Sequence, residues 1–381
     1  MGVTAPGGDK LRVGIISANW GITAHLPAWR AVEGVEVVAI CTAHEETARA
    51  AAQANNIARP FWDFEAMAAD PEIDLIDCGT RPDLREQMVA AALEGGKHVY
   101  NGVPFATGLN GARKLRDLAR SSGRVTAVDA FSQWLPAHQL MKERIEDGYI
   151  GTPHTLSATF DLSLFNRPAA IFPWKWFADP RHGASALRNL GSHALHMMVF
   201  LYGPIAEAIG DTRMFLDEWH FDDGQIIRPD VADTAAALLR FQNGAMGQVR
   251  VGWSVEGGEG WRIAAHGKRG SLVAEHNHFP TALDTRLYGE RSTVESWMGH
   301  RRGEPLAIPE RLRSRPGIAF TAEEAPSQSY PMALAFQDMS RAAAAGGLAA
   351  PSFEQAWHVE QVIEAIRRST VSQRWEPCNM D

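Results

Sequence analysis

The chain of 381 residues lacks the segments that mark membrane, secreted and nucleic-acid-binding proteins. Its longest apolar run, around Ala194–Gly203, is interrupted by His196 and is far shorter than the roughly 20 residues that cross a bilayer. The N-terminus has no apolar core of a secretory signal. Acidic and basic residues, 45 against 37, are dispersed and give a formal charge of −8, so no basic stripe is present for nucleic acid or an anionic membrane. We therefore expect a cytoplasmic protein that binds neither nucleic acid nor membrane.

Cysteine is also scarce. Cys41, Cys78 and Cys378 are odd in number and do not have the spacing of a metal or redox motif, so reduced thiols are expected. Glu275–His278 places two imidazoles on one face of an extended segment, but no third ligand is evident. The sequence therefore predicts no metal site.

The first 130 residues alternate between buried-type strands and helices of 10 to 15 residues. This alternation predicts right-handed βαβ units and a doubly wound parallel sheet, which binds ligands outside the carboxyl ends of its strands. The predicted strands are Leu11–Ile16, Val35–Cys41, Asp74–Cys78, Lys97–Tyr100 and Arg124–Ala130, and the predicted helices are Thr23–Val32, Glu45–Asn55, Leu84–Glu94 and Asn110–Ser121.

After about residue 131 the pattern changes to period-two alternation, which is typical of half-buried antiparallel strands. One strong helix, Leu187–Leu201, interrupts these strands, and Phe353–Ser369 forms a closing amphipathic helix. Residues 290–330 have the composition of a long excursion or flexible loop. We predict a second, α+β domain over 131–381 with a large open, mostly antiparallel sheet; its strands are Thr155–Leu164, Asp233–Phe241, Gly247–Trp253, Arg262–His266 and Ser271–His276.

Four stretches resemble the glucose–fructose oxidoreductase, inositol dehydrogenase and rhizopine-catabolism (Gfo/Idh/MocA) family in order and spacing. They are RVGIISANWGITAHLPAW, AALEGGKHVYNGVP, GASALRNLGSHALHMMVFLYG and PSFEQAWHVEQVIEAIRRS. The resemblance implies a Rossmann-type domain over 1–130 that binds NAD or NADP, and a substrate-binding domain over 131–381. It also implies action on sugars, cyclitols or related polyols, and a homodimer or homotetramer formed through the second domain's sheet.

The family's dinucleotide turn has the pattern G-x-G-x-x-G, in which glycine permits a tight bend and close approach to the pyrophosphate. Here the aligned positions are Ser17, Asn19 and Ile22, and Gly21 is displaced by one residue. Trp20 lies in the same turn. The resemblance implies that these five residues contact the cofactor.

Two further turns are expected at the carboxyl ends of strands. NAD sites usually place an Asp or Glu after the second strand and NADP sites often an Arg, whereas this chain offers Thr42 and His44, so the preference stays open. Thr80, Arg81 and Pro82 match the family's threonine-proline turn beside the nicotinamide ribose. The resemblance implies cofactor contacts for all five.

The stretch after the fourth predicted strand lacks the family's lysine. The family carries Glu-Lys-Pro where this chain has Gly102, Val103 and Pro104, preceded by Asn101. Val103 has no titratable or hydrogen-bonding group, so Asn101, Val103 and Pro104 are expected to border the cofactor only. Losing a positioned acid or base typically costs about 10²–10⁴ in rate unless another group takes over.

The family's Asp-x-x-x-His motif is present here as Asn189 to His193. Residues at i and i+4 lie on one helix face, and His193 is the best remaining group for proton transfer at neutral pH. Lys175, between Trp174 and Trp176, is a candidate replacement for the missing lysine, or else a surface residue. We predict His193, Asn189 and Lys175 as the catalytic residues.

Twelve tryptophans are many for this length. Trp134, Trp174 and Trp176, with Trp20, fall on segments that border the substrate in the family, and aromatic rings stack on sugar faces or on aromatic substrates. The sequence therefore predicts an NAD(P)-dependent oxidoreductase of a sugar-like, cyclitol or aromatic alcohol. A redox-neutral lyase or hydrolase on the same fold and a non-catalytic ligand sensor stay open as alternatives.

Overall fold

The computed structural model describes residues 10–17, 19–166, 168–291, 303–326 and 328–379. These residues form two compact units. The first comprises the chain up to Gly102 together with Leu115–Asp129 and Ser314–Ser352; the second comprises Val103–Lys114, Ala130–Arg313 and the chain from Phe353. The predicted division at residue 130 stays a prediction, and the structure adds that 314–352 belong with the N-terminal sheet.

The N-terminal sheet has six parallel strands in the order β3-β2-β1-β4-β5-β6, which confirms the predicted doubly wound sheet. The chain moves outwards from β1 on both sides, so the carboxyl ends of β1 and β4 flank the switch point where such sheets bind ligands. The strands are β1 (Leu11–Ile16), β2 (Val35–Cys41), β3 (Arg59–Phe61), β4 (Leu75–Cys78), β5 (His98–Asn101) and β6 (Thr126–Val128).

Five helices connect these strands: α1 (Leu26–Arg30), α2 (Glu45–Ala54), α3 (Phe64–Ala69), α4 (Pro82–Glu94) and α5 (Leu109–Ser122). The predicted helix Thr23–Val32 is in fact a wide turn of π-helical winding, Gly21–His25, followed by α1. Pro27 lies in the first turn of α1 and Pro82 in that of α4, where a missing backbone N–H costs nothing.

The second unit is built on a nine-stranded sheet in the order β16-β15-β14-β13-β7-β12-β11-β8-β17. Its large strands are β7 (Pro153–Asp161), β8 (Ile205–Arg213), β11 (Thr234–Phe241), β12 (Met246–Gly252), β13 (Gly260–Gly267), β14 (Gly270–His276) and β15 (Arg286–Arg291). The short ones are β16 (Glu304–Pro305) and β17 (Glu376–Pro377), with a separate hairpin of β9 (Trp219–His220) and β10 (Ile226–Ile227).

Eight neighbouring pairs make this sheet, and all are antiparallel except β7 with β12. The mostly antiparallel sheet is thus confirmed, and the parallel pairing of β7 with β12 was not predicted. The reason is connectivity. The chain leaves β7, passes through a long helix and then β8, and later forms the hairpin of β11 and β12, in which β12 pairs beside β7.

The helices of the remaining chain are α6 (Pro136–Glu146), α7 (Ala186–Tyr202), α8 (Glu310–Arg313), α9 (Ser329–Ala345) and α10 (Phe353–Ser372). Helices α7 and α10 pack together and cover one face of the large sheet. Along β11 the inward side chains Ala235, Ala237, Leu239 and Phe241 are buried, while the side chains between them are exposed. The other face is therefore open over β11 and β12, where Leu238 and Met246 are about half exposed.

The predicted loop 290–330 carries only β16 and α8 among residues 303–326, and residues 292–302 lie outside the described residues. Helices α6 and α9 were not predicted. Helix α9 packs against α1 in the first unit and is buried on most sides, so it shows no polar stripe of the kind that marks a surface helix. Among the described residues, no helix is long and apolar enough to cross a bilayer.

Candidate functional site

The turn after β1 is closely packed despite its single glycine. A Cβ atom at Gly21 would lie 2.8 Å from both Ile15 Cγ2 and Ser17 Cβ, so only glycine fits there. A Cβ atom at Gly79, after β4, would lie 3.1 Å from Ser17 Cβ. Two glycines thus allow the turn to rest directly on the end of β4. The turn therefore packs tightly against β1 and the residue after β4 at the switch point, where such sheets bind their ligands.

The hydroxyl of Ser17 organises this turn. Its Oγ accepts hydrogen bonds from the backbone N–H groups of Asn19 and Gly21, each at 3.3 Å, and Ser17 itself is buried. The carbonyl of Asn19 accepts from the N–H groups of Ile22 and Thr23, each at 3.0 Å. Asn19 is exposed, and Ile22 is half-buried, so both side chains reach the surface of the turn.

A buried charged cluster of His25, Asp77 and Asp129 lies behind the turn. His25 Nδ1 is 2.8 Å from Asp77 Oδ2, and His25 Nε2 is 3.1 Å from Asp129 Oδ2. Burial lowers the pKa of His25, but the charges of the two carboxylates outweigh it and raise this pKa to about 10. His25 is therefore an imidazolium at neutral pH.

Three further side chains donate hydrogen bonds to the two carboxylates of this charged cluster. Tyr100 Oη donates to Asp129 Oδ1 at 2.8 Å, Trp29 Nε1 donates to Asp77 Oδ2 at 2.7 Å, and Trp20 Nε1 donates to Asp129 Oδ2 at 3.2 Å. Trp29 and Tyr100 are fully buried, whereas Trp20 is half-buried. Trp20 is therefore the aromatic group through which the cluster reaches the surface of the turn.

Sequence reasoning missed this cluster. Asp77 and Asp129 are 52 and 104 residues from His25, and the three meet because β1, β4, β5 and β6 are neighbours in the sheet. The available signal was Asp77 within the otherwise apolar strand Leu75–Cys78, because a buried carboxylate needs partners.

The end of β2 carries hydroxyl and imidazole groups but no carboxylate. Thr42 Oγ1 donates to the carbonyl of His44 at 3.1 Å and lies 2.6 Å from Thr47 Oγ1. His44 is exposed and precedes the first residue of α2. Glu45, the first residue of α2, pairs with Arg49 at 2.7 Å across one helical turn.

The turn after β4 is braced by Arg85. Its guanidinium is buried and donates to the carbonyls of Thr80 and, at 3.1 Å, of Gly102, which joins the ends of β4 and β5. Burial lowers the pKa of Arg85 to about 10, so it stays charged at neutral pH. Arg81, predicted as a cation beside the cofactor, is half-buried and pairs with Asp83 at 2.9 Å.

The stretch from Asn101 to Pro104 has no ionisable side chain. Asn101 is buried as the last residue of β5, and its carbonyl accepts from the N–H of Asp129 at 2.8 Å. Val103 is half-buried, and Pro104 is buried after a cis peptide bond. Val103 thus contributes an apolar side chain and no group that can transfer a proton.

In the second unit, α7 presents Asn189 and His193 one turn apart. The Oδ1 atom of Asn189 accepts from the backbone N–H of Ser185 at 3.2 Å, so this side chain also closes the start of the helix. The imidazole of His193 is half-buried, with its ring edge-on to Phe131 and Phe279 at centroid distances of 5.9 and 5.5 Å. Two aromatic rings therefore fix the direction of the imidazole.

An ion pair fixes the rotation of α7. Arg188 donates to Glu360 on α10 at 2.8 Å and to the carbonyls of Ala106 and Gly183 at 2.5 and 3.0 Å. Glu360 is almost fully buried. Because Arg188 immediately precedes Asn189, this pair helps to orient the face that carries Asn189 and His193.

Lys175 lies against the turn between β9 and β10. Its Nζ donates to Asp223 Oδ2 at 2.5 Å and to Gln225 Oε1 at 2.6 Å, and it lies 4.9 Å from the ring centre of Phe221. The ammonium is therefore engaged by the turn between β9 and β10. A catalytic role for Lys175 would require this pair to break, and that role stays a prediction.

The predicted substrate tryptophans are all partly exposed. Trp174 and Trp176 lie nearly parallel at 6.3 Å and both contact the ring of Phe177, while Trp134 ends a short 3-10 turn that starts at Phe131. In contrast, Trp29, Trp219, Trp253 and Trp261 are fully buried core residues. Among the described residues, no cluster of three or more His, Cys, Asp or Glu side chains is arranged to hold a metal ion.

The parallel sheet with its close-packed first turn, followed by an open-sheet unit, defines a Rossmann-type nucleotide-binding protein. Comparisons with known proteins agree. Residues 11–130 match the model of an oxidoreductase family with an NAD-binding Rossmann fold, and residues 138–273 match the GFO/IDH/MocA C-terminal domain. The chain therefore belongs to the Gfo/Idh/MocA family of oxidoreductases, and its first domain is an NAD-binding Rossmann domain.

Three relatives illustrate the similarity. Levoglucosan dehydrogenase of Pseudarthrobacter phenanthrenivorans is 25% identical over 395 residues, which covers 96% of this chain and 98% of the relative. D-Apiose dehydrogenase of Paraburkholderia graminis is 31% identical over 205 residues, 54% of this chain and 52% of the relative. The crystal structure of an NAD binding oxidoreductase from Klebsiella pneumoniae has a TM-score of 0.86 at 25% identity, covering 98% of this chain and all of that one.

Proposed function

We propose that the protein is an NAD- or NADP-dependent oxidoreductase that acts on a hydroxyl group of a sugar-like, cyclitol or aromatic alcohol, with His193 as the acid/base. The observation that carries this proposal is the half-buried imidazole on α7, directed by Phe131 and Phe279 and one turn from Asn189. The names of relatives that act on levoglucosan and D-apiose support a carbohydrate-like substrate.

The nicotinamide cofactor supplies a hydride acceptor or donor when it is bound. The tight turn at the end of β1, next to the end of β4, lies at the carboxyl edge where such sheets bind their ligands. Three sets of residues would hold it: Ser17, Asn19, Trp20, Gly21 and Ile22 in the first turn; Thr42 and His44 after β2; and Thr80, Arg81, Pro82, Asn101, Val103 and Pro104 at the ends of β4 and β5.

In this proposal His193 takes the proton of the substrate hydroxyl during oxidation and returns it during reduction. An imidazole is suited to this exchange because its ordinary pKa is near neutrality. Since Oδ1 of Asn189 is bound to the N–H of Ser185, its amide nitrogen would be the group that donates to the substrate. Val103 contributes no proton, so the acid/base work falls on one group instead of two.

The substrate would lie against aromatic rings. Trp174 and Trp176, with Trp134, offer partly exposed faces that stack on the C–H face of a sugar ring or on an aromatic ring. This favours substrates with a flat apolar face over small, highly polar molecules.

The test is turnover with levoglucosan, D-apiose, myo-inositol and aromatic alcohols in the presence of NAD⁺ or NADP⁺, followed by the absorbance of the reduced nicotinamide. His193→Ala is expected to lower kcat by about 10²–10⁴-fold. His154→Ala, at an exposed position of β7, is the matched control and should leave kcat unchanged. Equal kcat in His193→Ala and wild type would contradict the assigned role. Conversion without net nicotinamide reduction would favour the redox-neutral alternative, and binding without turnover the sensor.

The proposal includes a homodimer or homotetramer formed through the open face of the large sheet. Leu238 on β11 and Met246 on β12 are 45% and 53% exposed on that face, which is unusual for large apolar side chains of a sheet. Leu238→Glu is expected to shift the protein to monomers in analytical ultracentrifugation, whereas Leu348→Glu, which changes an exposed leucine elsewhere, should not. A wild-type protein that sediments as a monomer would contradict this part.

A further inference from the structure

We propose that the charged cluster of His25, Asp77 and Asp129 is a positioning device for Trp20, which it holds as a preformed aromatic contact for the nicotinamide dinucleotide. The inference rests on the proposed function, because it takes the ligand of Trp20 to be that cofactor. It assigns Trp20 as a binding residue, and His25 and Asp129 as positioning residues that act through Trp20.

The direction of the Trp20 side chain is the first step. Trp20 follows β1, but its Nε1 atom donates to Asp129, the residue after β6. In the sheet, β4 and β5 lie between β1 and β6, and neighbouring strands are about 4.8 Å apart. The hydrogen bond therefore directs the indole from the turn after β1 towards the β4–β6 side of the sheet's carboxyl edge, and such folds bind their ligands at that edge.

The acceptor of this hydrogen bond is rigid. Asp129 Oδ1 accepts from Tyr100 Oη at 2.8 Å, and Oδ2 is 3.1 Å from the imidazolium of His25. His25 is held on its other side by Asp77 at 2.8 Å, which in turn accepts from Trp29 Nε1 at 2.7 Å. Charge-assisted bonds of this kind are stronger than neutral ones, so the carboxylate that orients Trp20 has little freedom to rotate.

Stability alone does not account for such an arrangement. The cluster places an imidazole between two carboxyl groups among residues that are at most 6% exposed, and buried ion pairs are often no more stabilising than apolar side chains of similar volume. The two indoles that donate hydrogen bonds to the cluster differ in their exposure. Trp29 is fully buried, whereas Trp20, in the dinucleotide turn, turns its N–H inward and is only half-buried.

The cluster also fixes the turn from behind. His25 is the last residue of the wide π-helical turn that begins at Gly21, and such turns often occur at functional sites. Gly21 is tied at the other end to Ser17 Oγ at 3.3 Å. Anchoring His25 therefore also limits movement of the backbone between Trp20 and Ile22.

The test compares two identical substitutions at the two ends of the cluster. Trp20→Phe keeps an aromatic ring but removes the N–H that Asp129 orients, and Trp29→Phe does the same for Asp77. We expect Trp20→Phe to raise the Kd for the preferred pair, NAD⁺ and NADH or NADP⁺ and NADPH, by about 3- to 10-fold in calorimetric titration. This factor corresponds to the cost of immobilising one free side chain on binding. Trp29→Phe should lower the melting temperature but leave that Kd within about twofold.

A second readout does not depend on cofactor. Asp129→Asn is expected to increase the quenching of Trp20 fluorescence by acrylamide in the cofactor-free protein, measured as the difference from the same variant carrying Trp20→Phe. It should raise the nucleotide Kd by a similar factor to Trp20→Phe. A purely structural cluster would lower the melting temperature in all variants and change neither the quenching nor the Kd.

The outcomes separate the inference from the proposed function. Unchanged Kd in both Trp20→Phe and Asp129→Asn, with wild-type binding intact, would overturn the positioning role alone. A wild-type protein that binds none of NAD⁺, NADH, NADP⁺ and NADPH would contradict the proposed function and, with it, the ligand assigned to Trp20, even if the quenching result showed that Asp129 holds the indole.

Discussion

The imidazolium of His25 makes the stability of the N-terminal sheet depend on pH. The pKa of His25 is about 10 in the folded protein against an ordinary 6.5, because Asp77 and Asp129 outweigh the effect of burial. A raised folded-state pKa contributes stability that is fully present below about 6.5 and is lost as the pH rises through about 10. At about 1.4 kcal/mol per unit, the free energy of unfolding of this sheet should fall by about 3–4 kcal/mol between pH 7 and pH 10.

The assay must report on the N-terminal sheet alone, because a protein of two units need not unfold in one step. Cys78 on β4 provides a fully buried thiol in that sheet. Its labelling by a maleimide at increasing urea concentrations, read by mass spectrometry and referenced to unfolded protein at the same pH, gives the free energy of opening.

The control is the double variant His25→Gln with Asp77→Asn. It removes the imidazolium together with one carboxylate and keeps an acceptor for the N–H of Trp29. The difference between wild type and this variant isolates the contribution of His25 from other groups that titrate at alkaline pH. The reasoning is refuted if both proteins lose stability with the same slope between pH 7 and pH 10.

Two further predictions concern the close-packed turn at Gly21 and the buried ion pair of Arg188 and Glu360. Gly21→Ala places a Cβ atom 2.8 Å from Ile15 Cγ2 and is expected to cost about 1–3 kcal/mol of stability in thermal melts and to weaken nucleotide binding in titrations. The control is Gly347→Ala, whose Cβ would meet only ordinary contacts at 3.6 Å or more, and it should change neither property. Arg188→Met leaves the carboxylate of Glu360 buried without its cation and is expected to lower the free energy of unfolding by about 3–5 kcal/mol. The double variant with Glu360→Met should recover part of that loss. A double variant as unstable as the single one would count against a buried-charge penalty.

Most of the fold was predictable because its elements obey local periodicity. The parallel strands of the first sheet are apolar runs, and β11 alternates between buried and exposed residues along its whole length. What periodicity does not contain is pairing: the parallel contact between β7 and β12 depends on the path of the chain through α7. Helix α9 was missed for a different reason, since a segment buried on most sides has no polar stripe to mark it.

The candidate site was predictable only in part. The turn around Gly21, the position of His193 and the absence of a proton donor at Val103 follow from aligned motifs. The side chains that hold those residues in place could not be predicted from motifs, because they act through tertiary contacts. Asp129 orients Trp20 from 109 residues away, and Arg85 joins the ends of two strands with a buried charge that sequence reasoning would place at the surface.

The absence of a lysine at position 103 shapes the proposed chemistry. The ammonium of Lys175, the candidate replacement, is paired with Asp223, so a catalytic role for it stays a prediction that requires this pair to break. Arg85 places a positive charge at the ends of β4 and β5, but it is buried and bound to two carbonyls, so it does not act as an acid or base. His193 is therefore the residue on which the proposed proton transfer depends.

Equilibrium binding of NAD⁺, NADH, NADP⁺ and NADPH to the purified protein, after any co-purified nucleotide has been removed, tests the central claim most directly. A nicotinamide dinucleotide bound with micromolar Kd by the wild type, and several-fold more weakly by Gly21→Ala, is the predicted result, because only glycine fits at the centre of the turn. No binding of any of the four at millimolar concentration would contradict the assignment of the protein as a nicotinamide-dependent oxidoreductase.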